Sequence, residues 1–259
     1  MVALVSGART LGLPGSVHAA WSDASRGDLR PGGRAHAGGA PDGAALSAFA
    51  GEVTAATGAP VGAVCWTDQV HGSRVLDVAT APVPAPDGPA PPLVCSGEGD
   101  ALVSDLPGVA LCVLTADCGA LALASPEGVY AAVHVGWRGL VAGVVEAAVD
   151  RMRGRGATEV VGALGPCIHA ECYEFSGADL DAVAAVYGDA VRGRTTGGRP
   201  ALDVPAGIAA ALARAGARSV RGVDACTACD DGYHSHRARH DTGRQALLVW
   251  SAPSAGSGP

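Results

Sequence analysis

The chain contains no lysine and no asparagine, and all 18 of its Lys+Arg residues are arginine. Without lysine there is no Schiff-base chemistry, no P-loop lysine and no lysine general base. Without asparagine there is no N-glycosylation acceptor. Aromatic residues make up only 4% of the chain and charged residues 17%. Long apolar runs are missing too: the start from Met1 to Val5 is broken at once by Ser6, Gly7 and Arg9, so neither a signal peptide nor a membrane span is expected. A basic face is absent as well, since the net charge is −7 and the arginines are scattered, so no nucleic-acid partner is expected. The chain is expected to work in the cytoplasm, away from membranes.

What is present is a large apolar fraction, 48% of 259 residues, enough for a sizeable core and incompatible with intrinsic disorder. The 38 glycines and 17 prolines show no G-x-y period, which excludes a collagen-like chain. The bias toward Ala, Gly, Arg and Pro points to a GC-rich bacterial genome, so single residues of these types carry little information. Eight cysteines, several inside apolar runs such as Ala63-Val64-Cys65 and Leu111-Cys112-Val113, read as reduced core or ligand thiols rather than a disulfide framework.

Periodicity divides the chain into short strands and helices. Ser25 to Gly43 is rich in Gly, Asp and Arg and reads as a long loop, followed by a helix over Ala44 to Thr57. Strands are predicted over Val61 to Trp66 and Arg74 to Val78, and then an extended Pro-rich loop from Ala79 to Pro92. The middle of the chain predicts buried strands at Ala101 to Ser104, Val109 to Thr115, Leu121 to Ala124 and Val129 to His134. Apolar residues at helical spacing then give a helix over Leu140 to Met152. A strand over Glu159 to Leu164, helices over Ala178 to Tyr187 and Pro205 to Ala215, and strands over Val220 to Asp224 and Gln245 to Trp250 complete the reading. Strands and helices that mix without strict alternation indicate an α+β fold. The tail from Ser251 to Pro259 is expected to be frayed and dispensable.

Three polar residues sit where predicted strands end: His71, Cys118 and His134. Two imidazoles and a thiolate form a plausible zinc set with an open fourth position, although a buried cysteine and two hydrogen-bonded histidines fit the same spacing and are the commoner arrangement. The turn His134-Val135-Gly136-Trp137-Arg138-Gly139 carries a strand through two glycines into a helix, where free N–H groups and Arg138 suit an anion; a tight turn with a packed Trp137 fits as well. A second cluster, Cys226-Thr227-Ala228-Cys229 followed by His234, His236 and His240, is the louder metal signal by composition. Its spacing is not that of a zinc finger, and two cysteines beside a His-rich surface loop account for it more simply. A redox CxxC lacks the surrounding βαβ pattern.

The ordered series Gln69-Val70-His71-Gly72, Ala116-Asp117-Cys118, His134-Val135-Gly136-Trp137-Arg138-Gly139, Gly165-Pro166-Cys167-Ile168, Cys172-Tyr173-Glu174, Cys226-Thr227, and Arg237 with Thr242-Gly243-Arg244 resembles the laccase-domain family. That family is also called the multicopper polyphenol oxidoreductase or YfiH-like family, and its members are described as purine nucleoside phosphorylases with adenosine deaminase side activity and as peptidoglycan editing factors. The resemblance spans Val61 to Trp250. It implies an α/β/β/α layered α+β fold, one catalytic domain over residues 1–250 with a disordered tail at 251–259, and a single zinc held by His71, Cys118 and His134. It places Arg237 and Arg244 in or around the pocket. The family's N-terminal TR-x-GG-x-S segment and its Leu-Asn pair are replaced here by Trp21 to Asp28, with Arg26 as a loose counterpart.

On this basis the expected function is zinc-dependent phosphorolysis of adenosine, inosine, guanosine or methylthioadenosine, with deamination of adenosine as a companion activity. The partners are then a nucleoside and phosphate, in a monomer or homodimer. His71, Cys118 and His134 would be catalytic and metal-binding, Arg138 and Arg244 substrate-binding, and Asp117 an orienter of a ligating histidine. Three other readings remain open: an amidase or peptidoglycan-editing hydrolase with Cys118 as nucleophile, a copper polyphenol oxidoreductase, and a catalytically silent zinc-binding domain.

Overall fold

The computed structural model describes residues 3–5, 8–31, 43–82 and 91–252. Along the chain run β1 (Ala3–Val5), β2 (Ala8–Leu13), β3 (Val17–Ser22), α1 (Ala44–Thr57), β4 (Ala63–Asp68), β5 (Val75–Asp77), β6 (Leu93–Glu98), β7 (Ala101–Ser104), β8 (Val109–Thr115), β9 (Gly119–Ala124) and β10 (Tyr130–Val135). They are followed by α2 (Trp137–Val141), α3 (Val144–Gly154), β11 (Val161–Leu164), α4 (Gly177–Tyr187), β12 (Arg192–Arg194), β13 (Pro200–Leu202), α5 (Val204–Arg214), β14 (Arg218–Val220), α6 (His236–Arg239) and β15 (Gln245–Ser251).

Two mixed sheets form the centre, one in the order β1-β2-β3-β15-β8-β4-β6 and the other β14-β11-β9-β10-β7-β5. Alternation along the strands shows how they stack. In β15, Leu247 and Val249 join a core with Leu111 and Val113 of β8 and with Ala120, Ala122, Tyr130 and Ala132 of the second sheet. The intervening Ala246, Leu248 and Trp250 pack on Leu46, Phe49 and Val53 of α1. On the second sheet, Leu121, Leu123, Ala131 and Val133 face α3, α4 and α5 instead. The result is an α/β/β/α stack in an α+β fold. Because helices cover both outer faces, the central strands are apolar along nearly their whole length, with polar residues such as Gln245, Thr115 and His134 at or near strand ends, so their sequences read as runs rather than alternations.

Local chemistry explains the boundaries. α1 ends at Gly58, whose left-handed φ of 69° lets its N–H reach the Thr54 carbonyl. α5 starts where the Asp203 side chain accepts the Ala206 N–H at 2.9 Å, with Pro205 in the first turn. The helix expected over Leu140 to Met152 is two helices, because Gly143 takes φ 81° and breaks the ladder between α2 and α3.

The strand expected over Val220 to Asp224 lies earlier, at Arg218–Val220, where it runs parallel to β11. Ser251 is a buried end of β15 rather than part of a frayed tail, and 253–259 lie outside the described residues, as do 32–42 of the predicted loop and 83–90 of the Pro-rich segment. Strands β1, β2 and β3 stand where no strand was expected, because an Ala- and Gly-rich stretch carries a weak apolar signal. No helix among the described residues is long and apolar enough to cross a membrane.

Trp21 of β3 joins the two sheets. Its indole, 2% exposed, donates Nε1–H to the Ala120 carbonyl of β9 at 3.1 Å. A Cβ on Gly165, at the end of β11, would collide with that ring. Gly165→Ala is therefore expected to lower stability by about 1–3 kcal/mol through overpacking, read as a lower urea midpoint at unchanged slope; an unaltered midpoint would contradict this packing.

Candidate active site

The site is built where strands end. After β4 the chain enters the loop of Gln69 to Gly72, and the Gln69 amide pairs with the backbone of β8: its Nε2 donates to the Leu114 carbonyl and its Oε1 accepts the Leu114 N–H, both at 2.8 Å. This side chain ties the His71 loop to the strand that leads into Asp117 and Cys118. β9 follows Cys118 directly and pairs antiparallel with β10, which brings Gly119 opposite Val135 and places His134 beside the same turn. Residues distant in sequence thus meet because three strand ends are neighbours.

His71, Cys118 and His134 converge, with their donor atoms all within 4.8 Å of one another. Cys118 Sγ lies 3.8 Å from His71 Nε2, and the two imidazoles meet edge-to-face at 4.8 Å between centroids. His134 is buried, Cys118 partly buried and His71 exposed, so the cluster opens toward solvent on the His71 side. Glycine makes the approach feasible: a Cβ on Gly136 would sit 2.5 Å from His71 Cδ2 and 3.4 Å from Cys118 Sγ. One soft thiolate and two imidazoles within a few ångströms, with an open side, match the donor set of a transition-metal site.

The carboxylate that orients the cluster is Asp100. It is fully buried, its Oδ1 lies 2.8 Å from His134 Nδ1, and it accepts the backbone N–H groups of His71 at 2.9 Å and Gly72 at 2.7 Å. Burial works to raise its pKa, but the His134 imidazole and the two N–H groups outweigh burial and hold it below the usual carboxylate range. An ionised Asp100 accepts a hydrogen bond from His134 Nδ1–H, which leaves Nε2 turned toward the cluster. Sequence reasoning missed Asp100, although its position just ahead of the β7 strand offered a clue.

Asp117 does not orient a histidine, contrary to the expectation for it. Its Oδ1 accepts the Thr227 and Ser235 hydroxyls, each at 2.7 Å, and its Oδ2 accepts the Arg237 N–H at 2.7 Å. Those bonds tie the Cys118 turn to the C-terminal segment. Asp117 has φ 93° and His71 φ 60°, both in a region that side-chain-bearing residues rarely adopt, and the surrounding hydrogen bonds hold this strain at the site.

Electrostatics pair the donors. Burial would raise the Cys118 thiol, but the His134 and His71 imidazoles pull it down to about 6. Burial would lower His134, but the Cys118 sulfur and Asp100 raise it to about 9. Without a metal, the cluster at neutral pH is thus a thiolate beside an imidazolium.

Neither predicted substrate arginine hydrogen-bonds to the three donors, although Arg244 is close enough to feel the charges of Cys118 and Asp117. Arg138 is exposed in α2, with its guanidinium 4.5 Å over the Trp137 ring; α2 has only five residues, so the helix end behind this turn is short. Arg244 is partly buried and donates to the carbonyls of Asp241, Thr242 and Gly243. Burial and the Arg30 guanidinium lower its pKa. Arg237 lies 4.8 Å over the Tyr173 ring, which leans on Phe175 and through it on Trp137. The C-terminal histidines do not join Cys226 and Cys229: His234 Nε2 meets the Gly27 carbonyl at 3.0 Å, and His236 and His240 pair with each other.

Comparison with known proteins places this arrangement. Residues 42–252 match the family described as multi-copper polyphenol oxidoreductase laccase. A Streptomyces coelicolor protein named purine nucleoside phosphorylase is 42% identical over 190 residues, covering 72% of this chain and 74% of its own. Escherichia coli YfiH, also named purine nucleoside phosphorylase, is 32% identical over 188 residues, covering 71% and 72%. Among solved structures, Neisseria meningitidis NMB0706 aligns with a TM-score of 0.72 at 26% identity over 96% of this chain and 100% of that one. Bacillus licheniformis YfiH aligns at 0.75 with 20% identity over 95% and 97%. With its sequence matched over most of its length and its fold over nearly all of it, the chain belongs to the multi-copper polyphenol oxidoreductase laccase family.

Proposed function

We propose that this chain is a zinc-dependent purine nucleoside phosphorylase, acting as one catalytic domain over residues 1–250 in the cytoplasm. The convergence of His71, Cys118 and His134, with His134 backed by a buried carboxylate, carries this reading. The names of the relatives from Streptomyces coelicolor and Escherichia coli add support. Bound there, zinc supplies Lewis acidity toward a phosphate or ribose oxygen.

In phosphorolysis an oxygen of orthophosphate bonds to C1′ of the ribose as the C1′–N9 bond breaks. The bonding electron pair leaves with the purine, which takes up a proton. The chain's own residues divide that work. Arg138 and Arg244 are the cations assigned to phosphate. Asp100 fixes the His134 ring, and Asp117 fixes the turn that carries Cys118. Tyr173, whose hydroxyl is raised to about 12 by burial and by the nearby Cys118 sulfur, stays protonated and is available as an O–H donor to the leaving base. Deamination of adenosine draws on the same cluster as a companion activity.

A second reading rests on the thiolate–imidazolium pair: Cys118 as the nucleophile of an amidase-type hydrolase. Base release from adenosine, inosine, guanosine and methylthioadenosine, with and without phosphate, separates the readings. Phosphorolysis predicts phosphate-dependent release that is lost in Cys118→Ala; release that persists at wild-type rate in that variant overturns it. Conversion of adenosine to inosine without phosphate marks deamination.

Two further outcomes follow. Asp100→Asn is expected to weaken zinc binding by about 10–100-fold, because the histidine loses its orienting acceptor; competition against a chromogenic chelator measures this, and unchanged affinity refutes the role. In the metal-free protein, alkylation of Cys118 should rise with pH around a midpoint near 6, since the reactive thiolate predominates above its pKa. His134→Gln should move that midpoint upward. Zinc should suppress the alkylation, and capture that zinc leaves untouched favours the hydrolase.

A further inference from the structure

Outside the first cluster, a second set of donors meets where two segments pair. The bridge between Cys167 and Cys226 brings residues 225–227 alongside 167, with the Thr227 N–H donating to the Cys167 carbonyl at 3.0 Å. Beyond it the chain turns tightly: the N–H groups of Cys229 and Asp230 both donate to the Cys226 carbonyl, at 3.2 and 3.0 Å. That turn puts two thiols of a CxxC on one side. Facing them is a single 3-10 turn, Ala170–Cys172, which presents Glu171 and Cys172.

Cys172 Sγ lies 3.1 Å from Cys229 Sγ, and Cys229 Sγ lies 3.7 Å from Glu171 Oε1. With Cys226 Sγ, all four donor atoms fall within 4.8 Å of one another. The backbone N–H of His169 points at Cys226 Sγ from 3.4 Å, a donor of the kind that supports a metal-bound thiolate.

We propose that Glu171, Cys172, Cys226 and Cys229 form a second, structural site for a thiophilic divalent cation of the zinc class. A tetrahedral zinc with Zn–S near 2.3 Å sets its sulfurs roughly 3.8 Å apart, so small side-chain rotations convert this cluster into a coordination shell. A disulfide accounts for two sulfurs at about 2.05 Å and leaves a third thiol and a carboxylate crowded against it without purpose. Four protein donors fill the tetrahedron, which is the mark of a structural rather than a catalytic site. Cys229 is exposed while Cys226 is buried, so the cation enters from solvent and closes inward, releasing the thiol protons to water.

The site braces the wall of the first cluster. Thr227, next to Cys226, donates to Asp117, and Tyr173, next to Cys172, carries the Arg237 guanidinium. The Ile168 N–H also donates to the Asp117 carbonyl at 2.9 Å. The two sets share no ligand, so this inference stands or falls independently of the proposed phosphorylase activity.

The test uses the full chain carrying Cys118→Ala, which disables the first set, loaded with cobalt(II) or zinc(II). The expected result is one tightly held ion per chain and a near-ultraviolet thiolate-to-cobalt band of multi-thiolate strength. Glu171→Gln should weaken binding by at least about tenfold, and Cys229→Ser, at an exposed position, should abolish most of it. Chelation should lower the melting temperature of Cys118→Ala but not of Cys118→Ala/Cys229→Ser. Absence of the ion and its band in Cys118→Ala overturns the proposal, as does a Cys172–Cys229 disulfide found in the non-reduced chain with no metal taken up.

Discussion

The carboxylate of Asp100 is the group on which the candidate site depends. It is fully buried just ahead of β7, and its two oxygens receive the His134 ring and the backbone N–H groups of His71 and Gly72. One side chain thereby sets the orientation of one candidate ligand and the loop geometry of another. A buried carboxylate is costly unless its acceptor positions are met; here they are met by the two segments that must stay together. The left-handed backbone of His71 persists because that carboxylate grips the N–H groups of the two peptide units flanking its Cα.

Asp117 does for the thiol what Asp100 does for the imidazoles. Two hydroxyls and an N–H from the C-terminal segment converge on it, so the turn before Cys118 is held by residues more than a hundred positions away. These anchors sit on a rigid base: two sheets packed face to face and covered by helices on both outer sides, with Trp21 reaching from one sheet to a carbonyl of the other. Precision at the candidate site comes from strand ends whose registers are set by the core.

Much of this was legible from the residues. Runs that are apolar up to a final hydroxyl residue, Val109 to Thr115 and Ala101 to Ser104, coincide with β8 and β7 because strands covered on both faces need little that is polar. The helix over Ala44 to Thr57 was equally clear, since Leu46, Phe49, Ala50 and Val53 fall at helical spacing and Gly58 follows as a stop. The split at Gly143 was hidden because apolar spacing continues across it while the backbone does not. The strands at the N-terminus were hidden by small residues that pack well between covered faces yet carry little hydropathic contrast. Gln69 illustrates the limit at the site: its identity is plain, but its pairing with Leu114 depends on the parallel register of β4 and β8.

The sequence by itself determined the mixed α+β class, the exclusion of lysine chemistry and a series of motifs carrying His71, Cys118 and His134. Those follow from residue identity and short-range spacing, which a linear chain displays directly. Only the tertiary structure decided which carboxylate serves which group, assigning Asp100 to His134 and Asp117 to the Cys118 turn. It also decided that Cys226 and Cys229 meet Glu171 and Cys172 rather than the histidines that follow them. The reason is that hydrogen-bond partners and candidate ligands are chosen by distance in space, and here that distance is set by strand pairing across intervals that no local pattern encodes.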